Sequence, residues 1–363
     1  MHLTRREILL SGSMLLAGAC TRPGSNSAPQ QFGVAAAKAN VQVLDPQLVL
    51  SLPGGVVAPT TVSSFVTEFG VKVTVTPGRV GELTQVGATD VALTDDVTLT
   101  RLVSSKVVES IDRSLVTNRK LLVPPFDNPS YDRGNHHSVP KDYITAGFAY
   151  SVASVPTPLS TWRGFFRLAA AQPGRVAVPP DRDIVIGAAL IAAGHDWNTS
   201  SSSDISDAAD ILLPLRPALV IGGVAGRRRL PSTLAAALCF GPGFAAPPAG
   251  IRFAVPQDGT LVRARCYCIP AYAPDPVSAH AWLNHTLDPA VAATETHYTG
   301  RATPVGPAVY QLPSALIANQ AVFPPALPAT PLTFANLNAS GAQLRTDLWA
   351  ELTAGRKLRL PAR

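Results

Sequence analysis

Residues Arg175-Val176-Ala177-Val178-Pro179-Pro180-Asp181-Arg182-Asp183-Ile184-Val185-Ile186-Gly187-Ala188-Ala189-Leu190-Ile191-Ala192-Ala193 form one strand-to-helix unit. The span 175–178 is short and apolar, as a buried strand is, and 184–193 is a helical run opened by Asp181, whose carboxylate is placed to cap it. The alternation continues outward from this unit. Upstream, 60–68 reads as a helix with Pro59 suited to its first turn, 71–75 as a strand, and 90–92 as the start of a strand that runs into the polar loop Thr94-Asp95-Asp96, with a helix over 98–104. Downstream, 206–213 reads as a helix ending before Pro214, 251–255 and 261–269 as strands, and 277–287 as a helix. Strands alternating with helices predict an α/β chain with mostly parallel sheets. There is no internal repeat, and the Pro-rich apolar span 322–332 is expected to pack across a surface.

Composition fits a folded body. With 46% hydrophobic and 15% charged residues among 363, the chain has ample material for a core and too little charge to be disordered. About 340 residues follow the first twenty, more than one core usually holds, so two lobes are expected. The net charge of +6 is modest, and Arg227-Arg228-Arg229 is its one tight run. Without aromatic interleaving or a basic stripe, nucleic-acid binding has no support.

The N-terminus predicts export and anchoring. Thr4-Arg5-Arg6-Glu7-Ile8-Leu9-Leu10 is of twin-arginine type, and an apolar run over 8–19 leads to Ala17-Gly18-Ala19-Cys20. The run is too short to span a bilayer and reads as a signal segment (1–20) ending in a lipobox, although Ala17 stands where Leu is usual. Lipid on Cys20, with two acyl chains, would hold the protein to the membrane, and 21–38 would be a flexible tether. Cys239, Cys266 and Cys268 are read as buried thiols, with one disulfide between Cys239 and either partner left open; Cys266 and Cys268, two apart on a strand, share a face. His136-His137 is read as a solvated loop. No metal, cofactor or catalytic constellation is expected: the chain lacks G-x-S-x-G, Walker A, H-E-x-x-H and C-x-x-C motifs.

Several segments, in order, carry a resemblance. Phe65-Val66-Thr67-Glu68-Phe69-Gly70-Val71-Lys72-Val73, Pro125-Phe126-Asp127 with His137-Ser138-Val139-Pro140, Gly187-Ala188-Ala189-Leu190 with Gly194, Asn198 and Thr199, Ala279-His280-Ala281-Trp282, Leu287-Asp288-Pro289-Ala290-Val291-Ala292, and Gly300-Arg301-Ala302-Thr303-Pro304 are similar to runs in the spermidine/putrescine-binding proteins of bacterial ABC importers. Between residues 219 and 234 the chain is shorter than that pattern. The resemblance implies the type II periplasmic-binding-protein fold: two α/β lobes, 39–143 plus 268–310 and 144–267 plus 311–357, with a ligand cleft between them. Crossings are expected near 144–149, near 266–270 and around Tyr310. It implies binding and not catalysis, hinge closure on a solute, a permease and an ATPase as partners, and a place on the outer face of the cytoplasmic membrane.

It also implies cleft residues, several of them changed here. Thr94 matches a hydroxyl residue of the ligand loop, Asp96 stands where an aromatic is usual, and Asp181 matches an acid, with helix capping as its other reading. Ile184 replaces a second acid, and Phe240 keeps an aromatic face. Arg263 and Arg265 stand where polyamine binders carry an aromatic and an amine-gripping Asp, and Arg301 replaces another aromatic. Arginines in a cleft favour carboxylate or phosphate. The alternatives are an anionic or zwitterionic solute, Arg265 and Arg301 pairing with Asp96, Asp181 or Asp183 to lock the lobes, or an envelope lipoprotein whose cleft binds no solute.

Overall fold

The computed structural model describes residues 43–79, 83, 89–222, 229–325 and 337–355. The signal-like start, Cys20, the tether and Arg227-Arg228 lie outside the described residues. In chain order the elements are β1 (Gln47–Leu52), α1 (Pro59–Phe69), β2 (Lys72–Pro77), β3 (Val91–Asp95), α2 (Asp96–Ser104), β4 (Val139–Ser151), α3 (Trp162–Ala171), β5 (Val176–Val178), α4 (Arg182–Ala193), α5 (Ser202–Leu212), β6 (Leu219–Ile221), β7 (Ala236–Phe240), β8 (Ile251–Ala254), β9 (Val262–Cys268), α6 (Pro276–Thr286), α7 (Pro289–Thr299), α8 (Ser314–Ile317) and α9 (Ala339–Thr353). The elements expected from the sequence are present with shifted ends. One such shift is at α5, which starts before residue 206 because Ser201 caps it, its side chain accepting from Asp204 N.

The strand order is β2-β1-β3-β9-β4-β7-β5-β6, with β8 also on β4. Only the wings are parallel, β1 with β2 and β3, and β5 with β6 and β7. The centre is antiparallel, β9 against β3 and β4, and β4 against β7 and β8. This corrects the expectation of mostly parallel sheets. The cause is β4, a 13-residue strand, over twice the usual length, that serves both halves of the molecule. It pairs with β9 as far as Thr145 and with β7 from Ala146 onward.

Apolar side chains gather into two cores on either side of that point. The first holds Leu48, Leu50, Phe65, Leu93, Tyr267 and Trp282 on one face of its sheet and Leu99, Phe126, Tyr143, Cys266 and Cys268 on the other. Phe65 meets Trp282 edge to face at 5.2 Å between centroids. The second core holds Phe148, Trp162, Phe165, Val185, Leu190, Leu238 and Leu348, with Ala237, Cys239 and Phe244 beneath. Phe148 stacks on Phe165 at 5.7 Å. The three cysteines are buried and free, and burial pushes the Cys239 and Cys268 thiols up to about 12. Cys239 sits in a different core from the other two, so no disulfide joins them.

Among the described residues the chain passes between the two cores at several points. The first change is Thr145 to Ala146 in β4, within the span expected. The second is Leu261 to Val262, ahead of β9; farther on, Ala321 touches the second core between Leu316 and Val322 of the first, and Leu344 and Leu348 lie again in the second. Cys266, Cys268 and Ile269 are buried inside the first core, and Tyr310 is 90% exposed on a 3-10 turn, Gly306–Gln311. A uniformly apolar run such as 266–269 looks the same wherever it crosses, so hydropathy alone could not locate the change. Where Ala321 touches the second core, a Cβ on Gly241 would fall 2.1 Å from its carbonyl oxygen, which ties that position to glycine.

Candidate functional site

Along β4 every residue is buried except Ile144 and the terminal Ser151. Pairing fixes the neighbours of Ile144. Arg263 lies opposite it on β9; two residues away on the same face of β4, Asp142 faces Arg265, and two residues the other way Ala146 faces Phe240. Arg265 and Arg263 therefore stand about 7 Å apart along β9, and Phe240 lies on the other side of β4, where that strand passes from the first core to the second. Phe240 is the half-buried last residue of β7. The parallel neighbour β5 ends at Val178 and leads to Asp181, the N-cap of α4. Open α/β sheets bind ligands outside the carboxyl ends of their strands, and these residues sit at such ends.

Asp142 organises the charges. It takes a two-pronged contact from Arg265, with Nε 2.7 Å from Oδ1 and Nη2 on Oδ2, and a third bond from Lys141 Nζ at 3.0 Å. Arg301 Nη1 approaches Oδ1 only to 3.6 Å, beyond a direct hydrogen bond. A register slip between Pro140 and Asp142 lets the adjacent Lys141 and Asp142 side chains meet. Lys141 continues to Glu295 Oε2 at 2.8 Å, and Glu295 Oε1 accepts from Ala58 N and Thr61 Oγ1 at 2.8 and 2.6 Å. Ala58 is the N-cap of α1 and has no capping side chain of its own, so Glu295, from α7, caps that helix instead. Burial alone would push the Asp142 carboxyl up, but Lys141, Arg265 and Arg301 together hold it well below the usual carboxylate range. At Asp96 the balance reverses. Burial outweighs Arg263, whose Nη1 lies 3.7 Å away, and raises the carboxyl to about 7.

The structure gathers some of the expected residues and disperses others. Arg263, Arg265 and Arg301 lie in one cluster, with Asp96 beside Arg263. Thr94 is fully buried, donates to the Asp95 carbonyl, and lies opposite Cys266, on the other face of the sheet from the arginines. Asp96 is buried as the first residue of α2, where it accepts from Val97 N. Asp181 caps α4, its Oδ1 accepting from Asp183 N and Ile184 N. The alternative in which Arg265 and Arg301 pair with Asp96, Asp181 or Asp183 does not hold. Both contact Asp142, because register sets Asp142 directly opposite Arg265, and Asp183 is taken by Arg182 at 2.8 Å. These ion pairs stay within the first core and do not bridge to the second.

Lys141, Asp142 and Glu295 were not foreseen. The visible signal was Lys141-Asp142, the one charged pair in an otherwise uncharged run from Val139 to Ser151. His136 and His137 belong to a loop tied down by Asp132, and among the described residues no cluster of three His, Cys, Asp or Glu is arranged to hold a metal ion. A separate hollow of about 900 Å³, lined in part by Ser151, Ser154, Arg229 and Ile251, lies at the far end of β4, some nine residues or roughly 30 Å from Asp142.

No family model matches the chain. Among curated proteins it is 23% identical over 249 residues to spermidine/putrescine-binding periplasmic protein 1 of Haemophilus influenzae, covering 66% of this chain and 68% of that protein. It is 24% identical over 331 residues to the putrescine/agmatine-binding protein of Pseudomonas aeruginosa, covering 82% and 89%. The solved structure of the spermidine/putrescine ABC transporter substrate-binding protein from Streptococcus pneumoniae matches with a TM-score of 0.77 at 20% identity, over 86% of this chain and 100% of that one. Two cores joined through β4 and β9, a mixed sheet and these likenesses agree: the chain has the type II periplasmic-binding-protein fold and is similar in sequence to spermidine/putrescine-binding proteins.

Proposed function

We propose that this protein is the extracytoplasmic solute-capturing component of an ABC importer of the spermidine/putrescine-binding kind, working with a membrane permease and an ATPase. The observation that carries the proposal is the opening at Ile144, set between Arg263 and Phe240 where β4 changes core. We take the two cores as the two lobes and the chain's crossings between them as their hinge. A solute seated over Ile144 touches groups of both lobes, so it binds the closed arrangement better than the open one and shifts the population toward it. Arg263, Arg265 and Arg301 would serve from one lobe, and Asp181 and Phe240 from the other. A thermal-shift screen over polyamines, amino acids, carboxylates and phosphates tests this. A solute at a hundredfold excess over its Kd adds about 2.7 kcal/mol of stability, and Phe240→Ala should abolish the shift. Silence across the panel would point instead to an envelope lipoprotein that works by contact with another protein.

Attachment to the outer face of the cytoplasmic membrane through lipid on Cys20 is the second part of the proposal. It is supported by the order of twin arginine, apolar run and Ala-Gly-Ala-Cys. Cys20→Ser should move the protein from the membrane fraction to the soluble one. If it stays with membranes at unchanged mass, the anchor is not lipid.

A further inference from the structure

The acids and bases around Ile144 face different ways. Asp142 and Glu295 are 4% and 6% exposed, and each of their oxygens already accepts from Arg265, Lys141, Ala58 or Thr61. Asp96 is buried, and Asp95 gives one oxygen to Thr98 N and the other to Thr98 Oγ1. The arginine side chains, by contrast, are partly open to solvent: that of Arg263 is 22% exposed and that of Arg301 25%. Arg301 reaches Asp142 through Nη1 alone, at 3.6 Å, so the rest of its fork of N–H groups can turn to a ligand. What the first lobe presents here is guanidinium, whose flat fork fits a carboxylate and repels an ammonium group.

The second lobe presents the opposite sign. Asp181 and Phe240 follow neighbouring parallel strands at the same end of the sheet, and Asp181 is half-buried. Both capping bonds of Asp181 fall on Oδ1, which leaves Oδ2 without a hydrogen bond among the described residues. A half-buried aromatic face beside a carboxylate oxygen suits an ammonium group on an apolar stem. On the reading that the solute lies over Ile144, we infer that it is zwitterionic, with a carboxylate seated on Arg301 and Arg263 and an ammonium group directed to Asp181. A polyamine, cationic at both ends, meets the wrong sign at the arginine end.

Calorimetric titration with putrescine, 4-aminobutyrate and succinate tests this, because the three share a four-carbon span and differ only in end groups. Cadaverine, 5-aminovalerate and glutarate form the next-longer set. The amino acid of at least one set should bind no less than tenfold tighter than its matched diamine and diacid. Arg301→Gln should weaken that amino acid roughly ten- to hundredfold, the worth of one charge-assisted hydrogen bond, and Arg301→Lys should restore part of it. Asp181→Asn should weaken the amino acid but not the diacid. Thermal melts of each variant report whether it is folded, and Arg301→Gln should still melt cooperatively, at a somewhat lower temperature than the parent, because Lys141 and Arg265 keep Asp142 paired. A diamine or spermidine binding as tightly as the amino acids would overturn the inference and leave the solute-binding reading intact. A diacid binding tighter than its amino acid would overturn the ammonium half, and so the zwitterion. If no carboxylate binds the inference fails, and if no amine binds either, the solute-binding reading fails with it.

Discussion

Asp142→Asn is the perturbation that most directly probes the buried charge network. The change keeps the shape of the side chain but removes its charge and turns one acceptor oxygen into an NH₂ group that faces the donors of Lys141 and Arg265. Lys141 is 2% exposed and Arg265 12%, so neither cation can turn to water. Removing one partner of such a buried pair costs about 3–5 kcal/mol, because the partners left behind stay charged and desolvated. Urea unfolding followed by circular dichroism at pH 7 should show that loss. Pairing it with Arg265→Gln should return part of it, since one stranded cation is then gone. The pH dependence has a defined sign. The Asp142 carboxyl is depressed in the folded state, so its contribution is complete above about pH 4, the unfolded value, and drains away as pH falls below that toward the folded value. The gap between parent and variant should therefore be wider at pH 6 than at pH 3. A loss below about 1 kcal/mol, or a gap that does not change with pH, would refute this assignment of the cluster.

Three further outcomes follow from the same geometry. Asp96 has a folded carboxyl raised to about 7, so ionising it destabilises the fold progressively between about pH 4 and 7, by on the order of 4 kcal/mol at most; Asp96→Asn should gain on the parent in thermal melts at pH 8 relative to pH 5, and a pH-independent difference would contradict this. Gly241→Ala forces a Cβ onto the Ala321 carbonyl oxygen, and a destabilisation of about 1–3 kcal/mol is expected in denaturant unfolding, against none if that contact can yield. Asp181→Ala removes the α4 cap, and a loss of about 1 kcal/mol in the same assay is expected if capping is one of its roles.

Much of the fold was legible because its signals are local. The strand at Val176–Val178, the cap at Asp181 and the apolar run to Ala193 sit in consecutive sequence, and the structure places them close to where the pattern does. The antiparallel centre was not legible, because pairing of β4 with β9 and β7 joins residues about a hundred positions apart and leaves no local trace. The site divides in the same way. The three arginines were visible as charges in or beside apolar segments, but their partner was not. Asp142 acquires its role from register with Arg265 and from a slip beside Pro140, and Glu295 acquires its role from the distant N-terminus of α1. Thr94 failed to join for an equally simple reason: alternation along β3 and β9 sends it to the opposite face.

Hydrogen–deuterium exchange with and without a saturating solute identified in the thermal screen tests most directly whether solute is held between the two lobes. Slowed exchange should appear together in peptides from both: those bearing the start of α2 and the Arg301 turn in the first, and those bearing Asp181 and the Phe240-Gly241 corner in the second. Protection confined to one lobe, or to the distant hollow around Ser151 and Arg229, would contradict binding over Ile144.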